Sequence, residues 1–307
     1  FIGNADGTLA LSGQSGAYYE GYYRIAQALD TIFPSSEPRI NYTPGESYFD
    51  DFALINSSGI MHHKFILSTD NDNKDYVIAG STNFTTSGID QNNNNTLIIE
   101  DSTLMATYRQ QFEYYLGLTG STRVNTKVSH TIDDINIEVV FSAQGTEGSG
   151  TEYRLVDGIL PINHIINQVD NANKSINFMI YSFPHSGLGD TLIDKFKKNI
   201  AVQGIYDSSQ SYYSSEEYLA QQGVLCRIDG NTCIDGTHGG KLHHKVMILD
   251  ASQDDAVVIT GSFNWSDSSN EDNHEDIIFI HSREIAGLFN SRWGLRWDEG
   301  TDVEIIP

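Results

Sequence analysis

The sequence predicts an α/β protein: two copies of one unit, each a mixed β-sheet flanked by helices, packed as a pseudo-twofold pair with a site between them. Three observations predict it. One stretch of sequence recurs in a fixed register, strand-like and helix-like segments alternate through the second half, and the composition supports a core. With 307 residues, 39% of them hydrophobic, and 27 glycines, the chain can fill two ordinary domains.

The recurrence can be read directly. Met61-His62-His63-Lys64-Phe65-Ile66-Leu67 matches Leu242-His243-His244-Lys245-Val246-Met247-Ile248. Val77-Ile78-Ala79-Gly80-Ser81-Thr82-Asn83-Phe84 matches Val258-Ile259-Thr260-Gly261-Ser262-Phe263-Asn264-Trp265. Asn92 matches Asn273, and every pair is offset by 181 residues without a gap. Chance does not hold one register across separated blocks, so the chain is a duplication, divided into 1–128 and 129–307.

In the second copy, Leu155, Ile159, Ile162, Ile165 and Ile166 predict a helix over 153–172. A strand follows over 175–183, then a helix over 188–199 whose Lys195, Lys197 and Lys198 suit its C-terminal dipole. A strand over 201–207, a helix over 214–222 and a strand over 224–228 come next. Strands over 244–249, 256–260 and 276–280 and a helix over 283–296 complete the copy. In the first copy, 103–116 matches that last helix, 18–33 resembles the helix over 214–222, and 1–3 corresponds to 204–206. The segment 153–200 has no counterpart, so the first copy is expected to be N-terminally incomplete. One strand-like run, 135–141, lies between the copies.

The formal charge is −23, split −11 and −12 between residues 1–150 and 151–307. Such a chain repels anionic surfaces at long range, but screening confines that to about 8–10 Å. A local basic cleft can therefore still hold a phosphate. The acidic, lysine-poor composition fits a secreted or salt-exposed protein. No stretch approaches the roughly 20 apolar residues that span a bilayer. Cys226 and Cys233 flank a turn-like Asp-Gly-Asn, so either a local disulfide or two free thiols fits an otherwise cysteine-free chain. The run Asp70-Asn71-Asp72-Asn73-Lys74-Asp75 reads as a solvated hairpin turn, not a calcium loop, because it lacks the required glycine.

Each copy places His-x-Lys at the start of a strand and Gly-Ser-x-Asn at the end of the next. Alternation sends His62 and Lys64 to one face and His63 to the other, and likewise His243 and Lys245 against His244. His63 and His244 are then packing residues. Each copy thus offers an imidazole, an ammonium and a carboxamide, the last from Asn83 or Asn264. Facing one another, the two sets suit phosphodiester cleavage. Two lysines and two asparagines are preorganised donors for the non-bridging oxygens. One neutral histidine can attack phosphorus, and the other can protonate the leaving oxygen and then activate water. No metal or other cofactor is required, because the lysines and asparagines supply the electrophilic assistance.

These residues resemble the phospholipase D superfamily, marked by H-x-K-x(4)-D followed by G-S-x-N. The second copy matches fully, with His243, Lys245, Asp250, Gly261, Ser262 and Asn264. The first has His62, Lys64, Gly80, Ser81 and Asn83, but Thr69 stands where Asp is expected. The resemblance implies a covalent phosphohistidine and a carboxylate behind each histidine. By position, Glu275 is expected behind His243 and Asn94 behind His62. On that expectation His62 is the nucleophile and His243 the general acid and base, which agrees with the family's N-terminal nucleophile. Ser81, Ser262, Asp250 and Asn94 are supporting residues. The Gly261–Ser266 and Asn273-x-Glu275 texture resembles the nuclease-like branch. The expected substrate is therefore DNA or RNA, with a phospholipid as the alternative, acted on by a monomer with a pseudo-dimeric site. A non-catalytic phosphate-binding module would need one broken half-site, and neither is broken.

Overall fold

A computed structural model describes residues 60–115, 120–142, 155–230 and 240–303. The expectations placed on 1–3, 18–33 and Cys233 lie outside them. The first repeat contributes β1 (Phe65–Thr69), β2 (Asp75–Gly80), a short helix α1 (Thr86–Asp90), β3 (Thr96–Glu100) and α2 (Ser102–Tyr115). The strands form an antiparallel sheet in the order β1-β2-β3. The turn between β1 and β2 is the acidic run: Asp70 Oδ1 accepts the Asp72 and Lys74 amides at 2.9 Å, and Asn73 takes a left-handed φ of 60°.

The hairpin β4 (Val128–Ile132) and β5 (Ile135–Ser142) opens the rest of the chain. Then come α3 (Pro161–Asn171), β6 (Ser175–Ile180), α4 (Ser186–Lys197), β7 (Ala201–Tyr206), α5 (Glu216–Gln221) and β8 (Leu225–Ile228). The chain continues through β9 (Lys245–Leu249), β10 (Val257–Gly261), α6 (Asp267–Glu271), β11 (Glu275–His281), α7 (Arg283–Glu299) and β12 (Thr301–Asp302). One nine-stranded sheet runs β12-β8-β7-β6-β9-β10-β11-β5-β4. Among its described strands, only β6-β7 and β7-β8 pair in parallel, so the sheet is mixed.

One expectation changes here. The helix predicted over 153–172 begins at Pro161, because Pro favours the first helical position and residues 156–159 close on each other as an isolated bridge. Ile162, Ile165 and Val169 then share its buried face, each contributing roughly 1.5–3 kcal/mol on removal from water. Cys226, buried in β8, has no disulfide partner among the described residues, and burial pushes its thiol up to about 12.

The central strands have both faces covered, which explains their unbroken apolar sequence. Along β9, Met247 and Leu249 join one core, while Val246 and Ile248 join the other. The first core lies under α3 and α4. The second continues into the first repeat through Phe65, Leu67, Val77, Leu104 and Tyr108. The two repeats are therefore packed on a shared core with the duplicated strands β1-β2-β3 and β9-β10-β11 on either side.

Candidate active site

Backbone hydrogen bonds stitch the repeats together in symmetric pairs. The His62 amide donates to the His274 carbonyl at 3.0 Å, and the His243 amide donates to the Asn93 carbonyl at 2.9 Å. The His274 amide reaches the Ile60 carbonyl at 3.0 Å, and the Asn93 amide reaches the Lys241 carbonyl at 2.8 Å. Each bond maps onto its twin by the repeat offset. His62-His63-Lys64 and His243-His244-Lys245 enter β1 and β9 from these seams, so the histidines precede the strands instead of opening them.

Each seam carries a side chain from one repeat to the histidine of the other. The Glu275 carboxylate accepts from His62 Nδ1 at 2.7 Å. Asn94 Oδ1 and the Ser81 carbonyl both accept from His243 Nδ1 at 3.0 Å. This reverses the expected pairing. The carboxylate backs His62 and the amide backs His243, because residues 273–275 run beside 60–62, not beside their own repeat's histidine. All the partners of Nδ1 are acceptors, so in each neutral ring Nδ1 holds the proton and Nε2 presents a lone pair.

The difference between half-sites extends one shell outward. Ser269 Oγ and Asn273 Nδ2 donate to Glu275 at 3.2 and 3.3 Å. At the position of Ser269 the first repeat has Gly88, whose carbonyl instead accepts from Asn94 Nδ2 at 2.7 Å, fixing the amide oxygen toward His243. Ser81 Oγ adds a donor to that oxygen at 3.0 Å. A carboxylate thus sits among donors, and an amide between a donor and an acceptor.

Lys64 and Lys245 are 4% and 2% exposed. Each ammonium donates back to its own histidine's carbonyl, Lys64 to His62 at 2.6 Å and Lys245 to His243 at 2.9 Å. Among the described residues neither has a carboxylate within ion-pairing distance. Burial pulls Lys64 down to about 8, against the pull of Glu275 and Asp276. Burial and the neighbouring Lys64 push Lys245 further below the usual lysine range. His62 is lowered by burial, with Glu275 opposing. His243 is lowered more, by burial, Lys245, Lys64 and His62. These mutual effects place both imidazoles and both ammoniums in one electrostatic neighbourhood.

Gly-Ser-x-Asn follows β2 and β10. Gly80 and Gly261 have φ of 146° and 127°, and a Cβ there would meet the carbonyl oxygens of Asn95 and Asp276 at 2.4 and 2.3 Å. That close approach lets Ser81 and Ser262 donate their amides across the strand end and accept back at Oγ. Asn83 and Asn264 follow, half-buried, with no side-chain hydrogen bond among the described residues, and Asn264 Oδ1 is fully enclosed. Asp250 lies away from this chemistry. Its carboxylate caps the Asn173, Lys174 and Ser175 amides at 2.7, 2.6 and 2.8 Å, tying the end of β9 to the start of β6. Thr69, at the matching place, donates to Asp75 instead.

His63 and His244 face away into packing. His63 Nε2 meets Tyr115 Oη at 2.7 Å, and its Nδ1 stands 3.5 Å from Asp276. His244 Nδ1 donates to Asn95 Oδ1 at 3.2 Å. Sequence reading missed Tyr181, whose ring lies 4.7 Å from the His243 ring and 4.9 Å from Lys245 Nζ. It also missed Asp207, buried at the end of β7, which accepts the Leu242 amide at 2.8 Å. Neither has a described counterpart in the first repeat, so the offset could not flag them. Ser269 was within reach of the offset, since its twin is a glycine. Among the described residues no cluster of His, Cys, Asp and Glu could hold a metal ion.

Comparison with known proteins adds the family. A family model described as "Cardiolipin synthase, PLD-like domain" matches residues 40–116 and 165–297, more than half of the chain. A phospholipase D of Rickettsia prowazekii is 30% identical over 131 residues, which cover 42% of this chain and 58% of that protein. The chain thus matches under two thirds of that relative's length. Among solved structures, the phospholipase D family member Nuc from Salmonella typhimurium is similar over 55% of this chain and 99% of its own, at 24% identity and a TM-score of 0.44. A phosphatidylserine synthase from Haemophilus influenzae is similar over 96% of this chain and 81% of its own, at 10% identity and a TM-score of 0.58. The last likeness is one of fold.

Proposed function

The chain belongs to the phospholipase D superfamily of phosphodiesterases, and we propose that it hydrolyses phosphodiesters without a metal, through a phosphohistidine on His62, with a polynucleotide as substrate. One observation carries the reading. Among the described residues, two buried ammoniums without carboxylate contacts accompany two imidazoles whose Nε2 atoms have no hydrogen-bond partner. Such a cluster is costly when empty and is stabilised by one bound anion.

His62 suits the nucleophile on different grounds from those the sequence offered. Attack through Nε2 leaves a ring substituted at one nitrogen and protonated at the other, hence cationic. Glu275 stabilises that cation and fixes the reactive tautomer. His243 is neutral in the empty site. A bound phosphodiester offsets Lys64 and Lys245 and returns it toward the range where Nε2 carries a proton for the leaving oxygen. The same nitrogen then takes a proton from water, which attacks phosphorus, releases His62 and restores the site. Lys64, Lys245, Asn83 and Asn264 hold the non-bridging oxygens throughout.

A lipid substrate is the second reading. Ile60 and Met61, beside His62, are 58% and 52% exposed, an apolar rim on that side of the site. No helix among the described residues is long and apolar enough to cross a membrane. The test is turnover in EDTA of plasmid DNA, single-stranded DNA and phosphatidylcholine vesicles, with H62N and H243N as controls. The proposal requires nucleic-acid cleavage that both substitutions abolish. Vesicle hydrolysis alone would replace the substrate, and loss of all turnover in EDTA would overturn the mechanism.

A further inference from the structure

The two rims of the site are not equivalent. Ile60 on one side corresponds by the repeat offset to Lys241 on the other. Lys241 is exposed, unlike Lys64 and Lys245. It is also held in place. Its backbone amide donates to Asn92 Oδ1 at 3.1 Å, and its carbonyl accepts from the Asn93 amide at 2.8 Å. Its Nζ donates to Tyr181 Oη at 3.1 Å and sits 5.2 Å from the centre of that ring. The ring in turn packs on His243 at 4.7 Å, tilted by 52°. Lys241 Nζ is therefore no farther from the His243 ring than those two centroid distances laid end to end.

We infer that Lys241 and Tyr181 form a subsite for the phosphate next to the scissile one, on the leaving-group side of a single-stranded polynucleotide. The inference rests on the phosphodiesterase reading above. An exposed cation beside the general acid, outside the pair that hold the reacting phosphate, calls for a second anion on the leaving group. A polynucleotide supplies one at every step, with neighbouring charges ~3.4 Å or more apart along a strand. A zwitterionic diacyl phosphodiester has no second phosphate. Half-buried Tyr181 offers a ring edge or face for the intervening nucleotide. The net charge of −23 repels strand beyond the subsite at long range, which favours contact with few phosphates. Across the site the described residue at the equivalent place is apolar Ile60, which offers no matching anion contact, so among the described residues the subsite has a direction.

The experiment compares kcat/KM for single-stranded oligo-dT and for bis(p-nitrophenyl) phosphate, a phosphodiester without a neighbouring phosphate, in the wild type, K241E and K241R. K241E is expected to lower the oligonucleotide-to-small-substrate ratio about tenfold, the effect of losing one charge-assisted contact. It should also flatten the dependence of log kcat/KM on log salt for oligo-dT by about 0.7, one single-strand phosphate contact. K241R should hold the ratio within about threefold, because it keeps the charge. An unchanged ratio and salt slope in K241E, with both substrates turned over, would overturn the subsite alone. Wild-type hydrolysis of phosphatidylcholine vesicles with oligo-dT left intact would overturn it in favour of a lipid. A wild type inert toward bis(p-nitrophenyl) phosphate and oligo-dT alike would overturn the underlying reading and the subsite with it.

Discussion

Glu275 is the residue on which the two half-sites differ most. It is fully buried, and burial alone would raise its carboxyl, yet the charge and hydrogen bond of His62 hold it below the usual range. Its substitution E275Q keeps the shape and removes the charge, so kcat should fall about a hundredfold, within the range for a lost acid–base partner. Because Glu275 supports the His62 cation, the acidic limb of the pH profile should move to lower pH in the same variant, which steady-state kinetics across pH will show. Lys64 supplies a second check. Held at about 8, it loses its proton as pH rises through that value, and anion binding favours the protonated form. Inorganic phosphate, as a competitive inhibitor, should bind progressively more weakly above pH 8, and calorimetry in buffers of different ionisation enthalpy should show proton uptake on binding. Invariant phosphate affinity across this range would remove Lys64 from the anion site.

The strand-end glycines illustrate how far an element can be read from sequence. Gly261→Ala places a methyl 2.3 Å from the Asp276 carbonyl at a φ of 127°, so β10 and β11 must separate there. A loss of about 2 kcal/mol or more is expected in urea unfolding, and a change below 0.5 would mean that the strand end yields freely. The repeat offset revealed His62, Lys64, Asn83 and their twins because both copies carry the same residues at the same spacing. It also located β9, β10 and β11, whose apolar runs are buried on both faces. It failed where the two copies diverge or exchange. The Glu275 and Asn94 partners were assigned to the wrong histidines because the offset shows which residues are equivalent, not which copy's seam they cross. Tyr181 looked like an ordinary strand residue, since only the packing of β6 beside β9 brings its ring onto His243. The start of α3 was missed because apolar spacing continued upstream of Pro161, into a bridged turn.

At the scale of the whole molecule, the seam between repeats holds the candidate site and two buried histidines, His274 and His244. His274 is 1% exposed, neither ring nitrogen has a hydrogen-bond partner among the described residues, and burial together with His63 and Arg123 pulls it down to about 4. His244, fully enclosed near Arg292, Lys245 and Arg296, falls to about 3. An unfolded histidine titrates near 6.5, so the unfolded chain takes up protons first as the solution is acidified. The stability these neutral rings allow is complete above about pH 6.5 and is lost as pH falls toward 4 and 3, by up to roughly 3 kcal/mol for His274. H274N installs the residue that the first repeat carries at the equivalent position 93, and it should flatten the acid side of the urea midpoint against pH. An unchanged slope would assign the loss elsewhere. The central claim remains that histidines from two repeats meet on one phosphorus atom with His62 as the attacking group. Turnover of bis(p-nitrophenyl) phosphate in EDTA, stopped in alkali and mapped by mass spectrometry, tests it most directly. The account predicts a phosphoryl adduct on His62, accumulating further in H243N. An adduct on His243, or turnover with no adduct on either ring, would contradict it.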